Sequence, residues 1–149
     1  SVAYSLKGEE GQKKAKAKGL MKAIVESMVS VALADGEVKE EEVKSIVSIY
    51  KRLFHHEISE DAVWLIVDSV LKNVDFDIKE NLADVKSILD VSTKKIIVRA
   101  SFFVARSDGE IHQLEKDVVS DIAVGLSRDA DEIREIIDDD IRAAIIGNP

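Results

Sequence analysis

Apolar residues along this chain recur mostly three or four positions apart, the spacing that lines one face of a helix. Seven glycines and a single proline, Pro149, leave long stretches in which nothing interrupts a helix. The pattern predicts an all-α chain of about seven helices. The first is expected from Gln12 to Ala34, with Leu20, Ile24, Met28 and Val31 on one stripe and Met21, Val25 and Val29 beside it. A second covers Lys39 to Phe54. The third starts where Ser59 can accept a hydrogen bond from a first-turn N–H, with Glu60 and Asp61 favoured near the positive helix start. The fourth spans Ile78 to Asp90 and the fifth Thr93 to Arg106. The stretch "IIVRASFFVA" in the fifth is apolar nearly all the way round and should be the most enclosed. The sixth runs from His112 to Leu126. The last opens on Asp129 with Glu132 three residues on, a capping-box pairing, and continues through Ile141. Val29, Ile97, Phe103 and Val104 are expected among the most buried side chains.

Two segments repeat each other. "ALADGEVKEEE" from Ala32 and "ARSDGEIHQLE" from Ala105 share an Asp-Gly-Glu triplet, a β-branched residue and a later glutamate. The correspondence holds at one offset from Ala32 and Ala105 through Leu53 and Leu126. Two copies are too few for a solenoid. They predict two related helical halves packed about a pseudo-twofold axis, with the first and fifth helices central, in a single domain over residues 1–149 whose first twelve residues form a flexible segment.

The repeat matches the second half of an EF-hand loop: Asp35, Gly36, Glu37, Val38 and Glu42, then Asp108, Gly109, Glu110, Ile111 and Glu115. The first half is missing, because Val31 and Leu33, then Val104 and Arg106, stand where two earlier carboxylates belong. Calcium takes six to eight oxygens, so neither copy is a self-sufficient EF-hand. A plainer reading makes each triplet a helix corner: the glycine closes one helix in a left-handed conformation and the glutamate sits near the next helix's positive start. That reading leaves unexplained an aspartate twice at a helix C-terminal side, where the dipole disfavours negative charge. Between the copies, "NVDFDIKEN" places Asp75 and Asp77 around Phe76; Asp77 is a candidate N-cap, and both could complete a hard-cation site where the fold brings the loop to the corners.

Composition narrows the chemistry. The 149 residues carry 21 Lys and Arg against 29 Asp and Glu, a formal charge of −8, which argues against nucleic acid and for cations. There is no cysteine, which excludes thiolate metal sites and thiol catalysis. No apolar leader and no run of membrane-span length are visible, so the expectation is a soluble intracellular protein. The lysine-rich "QKKAKAK" reads as a solvated, fraying end, with contact to acidic lipid or an acidic partner as the alternative.

At "ALADGEV" with Glu42, "DFD" at Asp75 to Asp77, and "ARSDGEI" with Glu115, in that order, the chain resembles the tellurite-resistance TerB family over roughly Gly19 to Ile137. The resemblance implies an all-helical fold of two related halves and a small cytoplasmic protein, at times peripheral to the inner face of the membrane. It also implies an acidic cluster that binds a divalent cation. It implies partners among other tellurite-resistance and stress-response proteins, a membrane-embedded one included. Lys39 and His112 depart from the pattern, standing where relatives often carry a capping Ser, Thr or Asp.

No nucleophile elbow, His-Glu-x-x-His pair or phosphate loop is present, and "GEEGQKK" lacks the spacing of a Walker loop. His55 and His56 are adjacent and point apart on a helix, while His112 has no histidine counterpart in the first copy. The expectation is a non-enzymatic module whose site is Asp35, Glu37, Glu42, Asp75, Asp77, Asp108, Glu110 and Glu115, binding Ca2+ or Mg2+ weakly. A metal-free structural adaptor and a metal-assisted hydrolase are the alternatives.

Overall fold

A computed structural model describes residues 2–147, with side chains from Ala17 onward. It comprises eight α-helices and two single-turn 3-10 segments, with no strand among the described residues. Helix α1 is Val2–Ala32 and ends in a 3-10 turn at Leu33–Asp35; α2 is Glu40–Phe54, α3 Glu60–Lys72 and α4 Ile78–Ala83, followed by a 3-10 turn at Lys86–Ile88. Then come α5 Val91–Arg106, α6 Gln113–Leu126, α7 Ala130–Ile136 and α8 Asp139–Ile146. The flexible segment expected over residues 1–12 falls where side chains lie outside the described residues.

Side-chain caps set the helix starts. Ser59 Oγ accepts from the Ala62 N–H at 3.0 Å, Asp77 Oδ1 from the Lys79 N–H at 2.9 Å, and Asp90 Oδ1 from the Thr93 N–H at 2.8 Å. The expected fourth helix stops early, at Ala83, and Asp90 belongs to the start of the next helix. As the N-cap of α5 it is extended, with φ −80 and ψ 167, so helix cannot run through it. The chain leaves α4 at Ala83 and makes a separate 3-10 turn at Lys86–Ile88 before α5. The expected seventh helix also divides. Ile137 is extended at φ −102 and ψ 116, and Asp138 is held by Arg99 and Lys95 of α5, so the chain restarts as α8.

Helices α1 and α5 pack against each other and against several others, α1 touching α2, α3, α4 and α6, and α5 touching α2, α6 and α7. One apolar core results, with Val25, Met28 and Val29 of α1, Ile97, Phe102 and Ala105 of α5, Ile46, Leu82, Ile122 and Leu126 nearly or fully buried. Val29, Ile97 and Val104 are buried as the periodicity predicts. Phe103 is not: it is half-buried, with the Arg52 guanidinium carbon 5.4 Å from its ring centroid, and its neighbour Phe102 fills the core instead. Gly125 of α6 admits α4 closely, since a Cβ there would stand 3.0 Å from the Lys79 Cα.

One buried polar contact crosses this core. Lys94 of α5 is 1% exposed and donates to Glu132 of α7, which also accepts from Arg128 Nε at 2.8 Å. Asp129 caps α7 by accepting the Glu132 N–H at 2.9 Å, as the capping box predicts. The returning half is absent, because the Glu132 carboxylate turns to Lys94 and Arg128, which hold it down at about 2 against burial.

Candidate functional site

Each repeated triplet builds the same corner. Gly36 has φ 103 and its N–H donates to the Leu33 carbonyl at 2.9 Å; Gly109 has φ 95 and its N–H donates to the Arg106 carbonyl at 2.9 Å. Both sit in the left-handed region, where a side chain is costly and glycine is not. The aspartate then accepts from the backbone two residues on: Asp35 Oδ1 from the Glu37 N–H at 3.4 Å, Asp108 Oδ1 from the Glu110 N–H at 3.2 Å. The glutamate returns to the start of the next helix, Glu42 Oε1 accepting the Lys39 N–H and Glu115 Oε1 the His112 N–H, both at 3.0 Å. Only this half of a capping box forms, and neither the Lys39 nor the His112 side chain makes a cap hydrogen bond.

The N-terminal end of α2 and the C-terminal end of α5 bring the two corners together. Asp35, Glu41, Glu42, Asp108 and Glu115 line one cavity of about 190 Å3, with Lys39, Ser45 and Ser107 on its wall. Burial raises the Glu42 carboxyl above the usual glutamate range, partly offset by its bond from the Lys39 N–H, and Asp35 and Glu115 push it the same way as burial. Burial likewise raises Glu115, against the bond from the His112 N–H, with Asp108 and Asp35 adding to the rise. Asp35 thus acts on glutamates of both corners, across a gap that sequence distance gave no reason to close.

Four of the eight residues singled out from sequence meet here: Asp35, Glu42, Asp108 and Glu115. Glu37 and Glu110 are exposed beside the corners and contribute backbone N–H groups to the aspartates rather than lining the cavity. The loop between the copies lies elsewhere. Asp77 caps α4 and lines a groove with Phe76, Lys79 and Asp121, and Asp75 is exposed, its N–H donated to Asn73 Oδ1 at 3.1 Å. Glu41 is the residue the repeat could not find, because its counterpart in the second copy is Leu114 and a search by recurrence passes over it.

The donor set is all oxygen, which suits Ca2+, Mg2+ or Mn2+ and not a thiophilic ion. Asp35, Glu42, Asp108 and Glu115 each use only one carboxylate oxygen in the hydrogen bonds just described, leaving the second without a partner in them. The carboxylates surround the cavity rather than converge: among the described residues no three Asp, Glu or His side chains stand close enough to form a ready-made metal cluster. The residues therefore fit a hard cation by chemistry and would have to close on it.

No helix of the described residues is long and apolar enough to cross a membrane. Comparison with curated proteins and with solved structures finds no match. The family model described as "Tellurite resistance protein TerB" matches residues 21–138, a span that holds both corners, the cavity between them and the core beneath. On that match, over most of its length, the chain belongs to the TerB family of tellurite-resistance proteins.

Proposed function

We propose that this protein is a non-enzymatic tellurite-resistance and stress-response module whose paired corners bind Ca2+ or Mg2+ weakly. The cation would be held by Asp35, Glu42, Asp108 and Glu115, and the surface around it would meet other Ter proteins, a membrane-embedded one among them. The observation that supports this most is the gathering of five carboxylates from two distant segments around one cavity. Like charges held together cost free energy unless something neutralises them. A bound divalent ion supplies that neutralisation and links the α1–α2 corner to the α5–α6 corner. The protein's own part is to hold the acids in place: a backbone N–H bond fixes one oxygen of each and leaves the other available. A Kd of about 10⁻⁴ to 10⁻³ M is expected for so few ligands.

The test is thermal unfolding with Ca2+ and with Mg2+ at constant ionic strength, repeated on Asp35→Ala and Asp108→Ala. At one hundred times the Kd the cation should stabilise the wild type by about 2.7 kcal/mol and both variants much less. A wild type left unmoved by about 100 mM cation, one hundred times the weakest expected Kd, overturns the metal reading. It would favour a structural adaptor, which the N–H contacts of the same four acids also support.

A further inference from the structure

Next to the acidic cavity, and sharing Ser45 and Ser107 with it, lies a cleft of about 450 Å3 between α2 and α5. Its character is opposite. Ser45, Ser48, Ile49 and Arg52 follow one another at helical spacing on one face of α2, and Phe103 and Arg106 of α5 face them with Ser107 just past its end. The Arg52 guanidinium carbon lies 5.4 Å from the Phe103 ring centroid and that of Arg106 lies 5.5 Å from the Phe102 centroid. Such stacking orders a guanidinium without using its N–H donors. Neither arginine takes part in any ion pair among the described residues, although the protein carries a formal charge of −8. The Ser45 and Ser48 hydroxyls make no side-chain hydrogen bond among those described, whereas Ser107 Oγ donates to the Val104 carbonyl at 2.8 Å and can still accept.

We propose that this cleft is a binding site for a small dianionic oxyanion of the phosphate class, clamped between Arg52 and Arg106 and donated to by Ser45 and Ser48. Two guanidinium forks and two free hydroxyls offer more donors than a carboxylate's two oxygens can use, and they match a tetrahedral anion with three or four. The same chemistry serves free phosphate and a phosphomonoester; in the ester the organic group would rest on Ile49 and the Phe103 ring.

Inorganic phosphate is titrated into the full chain by calorimetry at pH 8, with chelator present and ionic strength held with chloride, so that the outcome is independent of cation binding. Saturable binding with a Kd of about 1 mM is expected. Arg52→Gln and Arg106→Gln should each weaken it by roughly tenfold, the loss of one charge-assisted donor pair. Arg52→Lys, which keeps charge but not the fork, should fall between, and Lys51→Gln, whose residue pairs with Glu57 outside the cleft, should bind as wild type. Phenyl phosphate binding more tightly than inorganic phosphate assigns the site to an ester; equal affinity assigns it to the free anion. The proposal is overturned by absence of saturation at tens of millimolar phosphate, by acetate binding as well as phosphate, or by undiminished affinity in both Gln variants when they melt as wild type.

Discussion

Glu42 and Glu115 are asked to do two things that pull against each other. Their Oε1 atoms secure the N-cap N–H just before α2 and α6, those of Lys39 and His112, and their charges are partly desolvated among other acids. A carboxyl raised above its ordinary 4.5 keeps its proton longer in the folded state than in the unfolded one, so the folded state binds more protons. Its contribution is complete below pH 4.5 and is lost as pH rises past that value. Glu42→Gln and Glu115→Gln keep an acceptor for the N–H and remove the charge. Without added cation each should be more stable than wild type at pH 7, by about 0.5 kcal/mol given the exposure of the site, and should match it near pH 4. Denaturant midpoints at the two pH values measure this, and an equal difference at both would sink it. At this scale the sequence was informative where residues recur, as at Gly36 and Gly109, and silent where they do not. Glu41 has no partner copy, and the Lys94–Glu132 contact joins helices whose pairing no local pattern encodes.

Among the elements, α5 shows how far periodicity reaches. Apolar residues surround it so completely that the spacing cannot rank two adjacent phenylalanines, and packing decides: Phe102 is 2% exposed while Phe103 faces the arginine-lined cleft. Phe102→Ala should cost about 3 to 5 kcal/mol, as cavity formation in a packed core does. Phe103→Ala should cost about 1 kcal/mol, the part of a side chain that packs without being enclosed. Urea unfolding of both distinguishes them, and equal losses would contradict the burial. Helix starts were readable where Ser59, Asp77 and Asp129 announce themselves chemically, whereas Asp90, expected to end the fourth helix, caps α5 instead. The breaks after Ala83 and Ile136 were not, because they follow from what comes next. Asp90 leaves the expected fourth helix to cap α5, and Asp138 is claimed by Arg99 and Lys95 of another helix.

At the scale of the whole molecule, the all-helical class and the likeness of the two corners were legible from spacing and recurrence. That the corners meet around one cavity, while the Asp75–Asp77 loop stays apart, is a property of docking that no single segment carries. Lys94 is another such property, since its charge is neutralised only by α7. Lys94→Met should destabilise by about 3 kcal/mol by stranding a buried carboxylate, at the lower end of the usual range because Arg128 remains; a thermally neutral variant would show that Arg128 suffices. The facing of the corners also has a consequence in time. Asp35 and Glu42 flank one turn, Asp108 and Glu115 another, and the two pairs become neighbours only once α2 has settled along α5. Repulsion between the pairs is then absent from the unfolded chain and from early stages of folding. Easing it with Glu42→Gln should slow escape from the native state while leaving the refolding rate nearly unchanged. In stopped-flow measurements across denaturant the unfolding arm should move and the folding arm should stay in place, making the acidic cavity a reporter of the last contacts to form and the first to part.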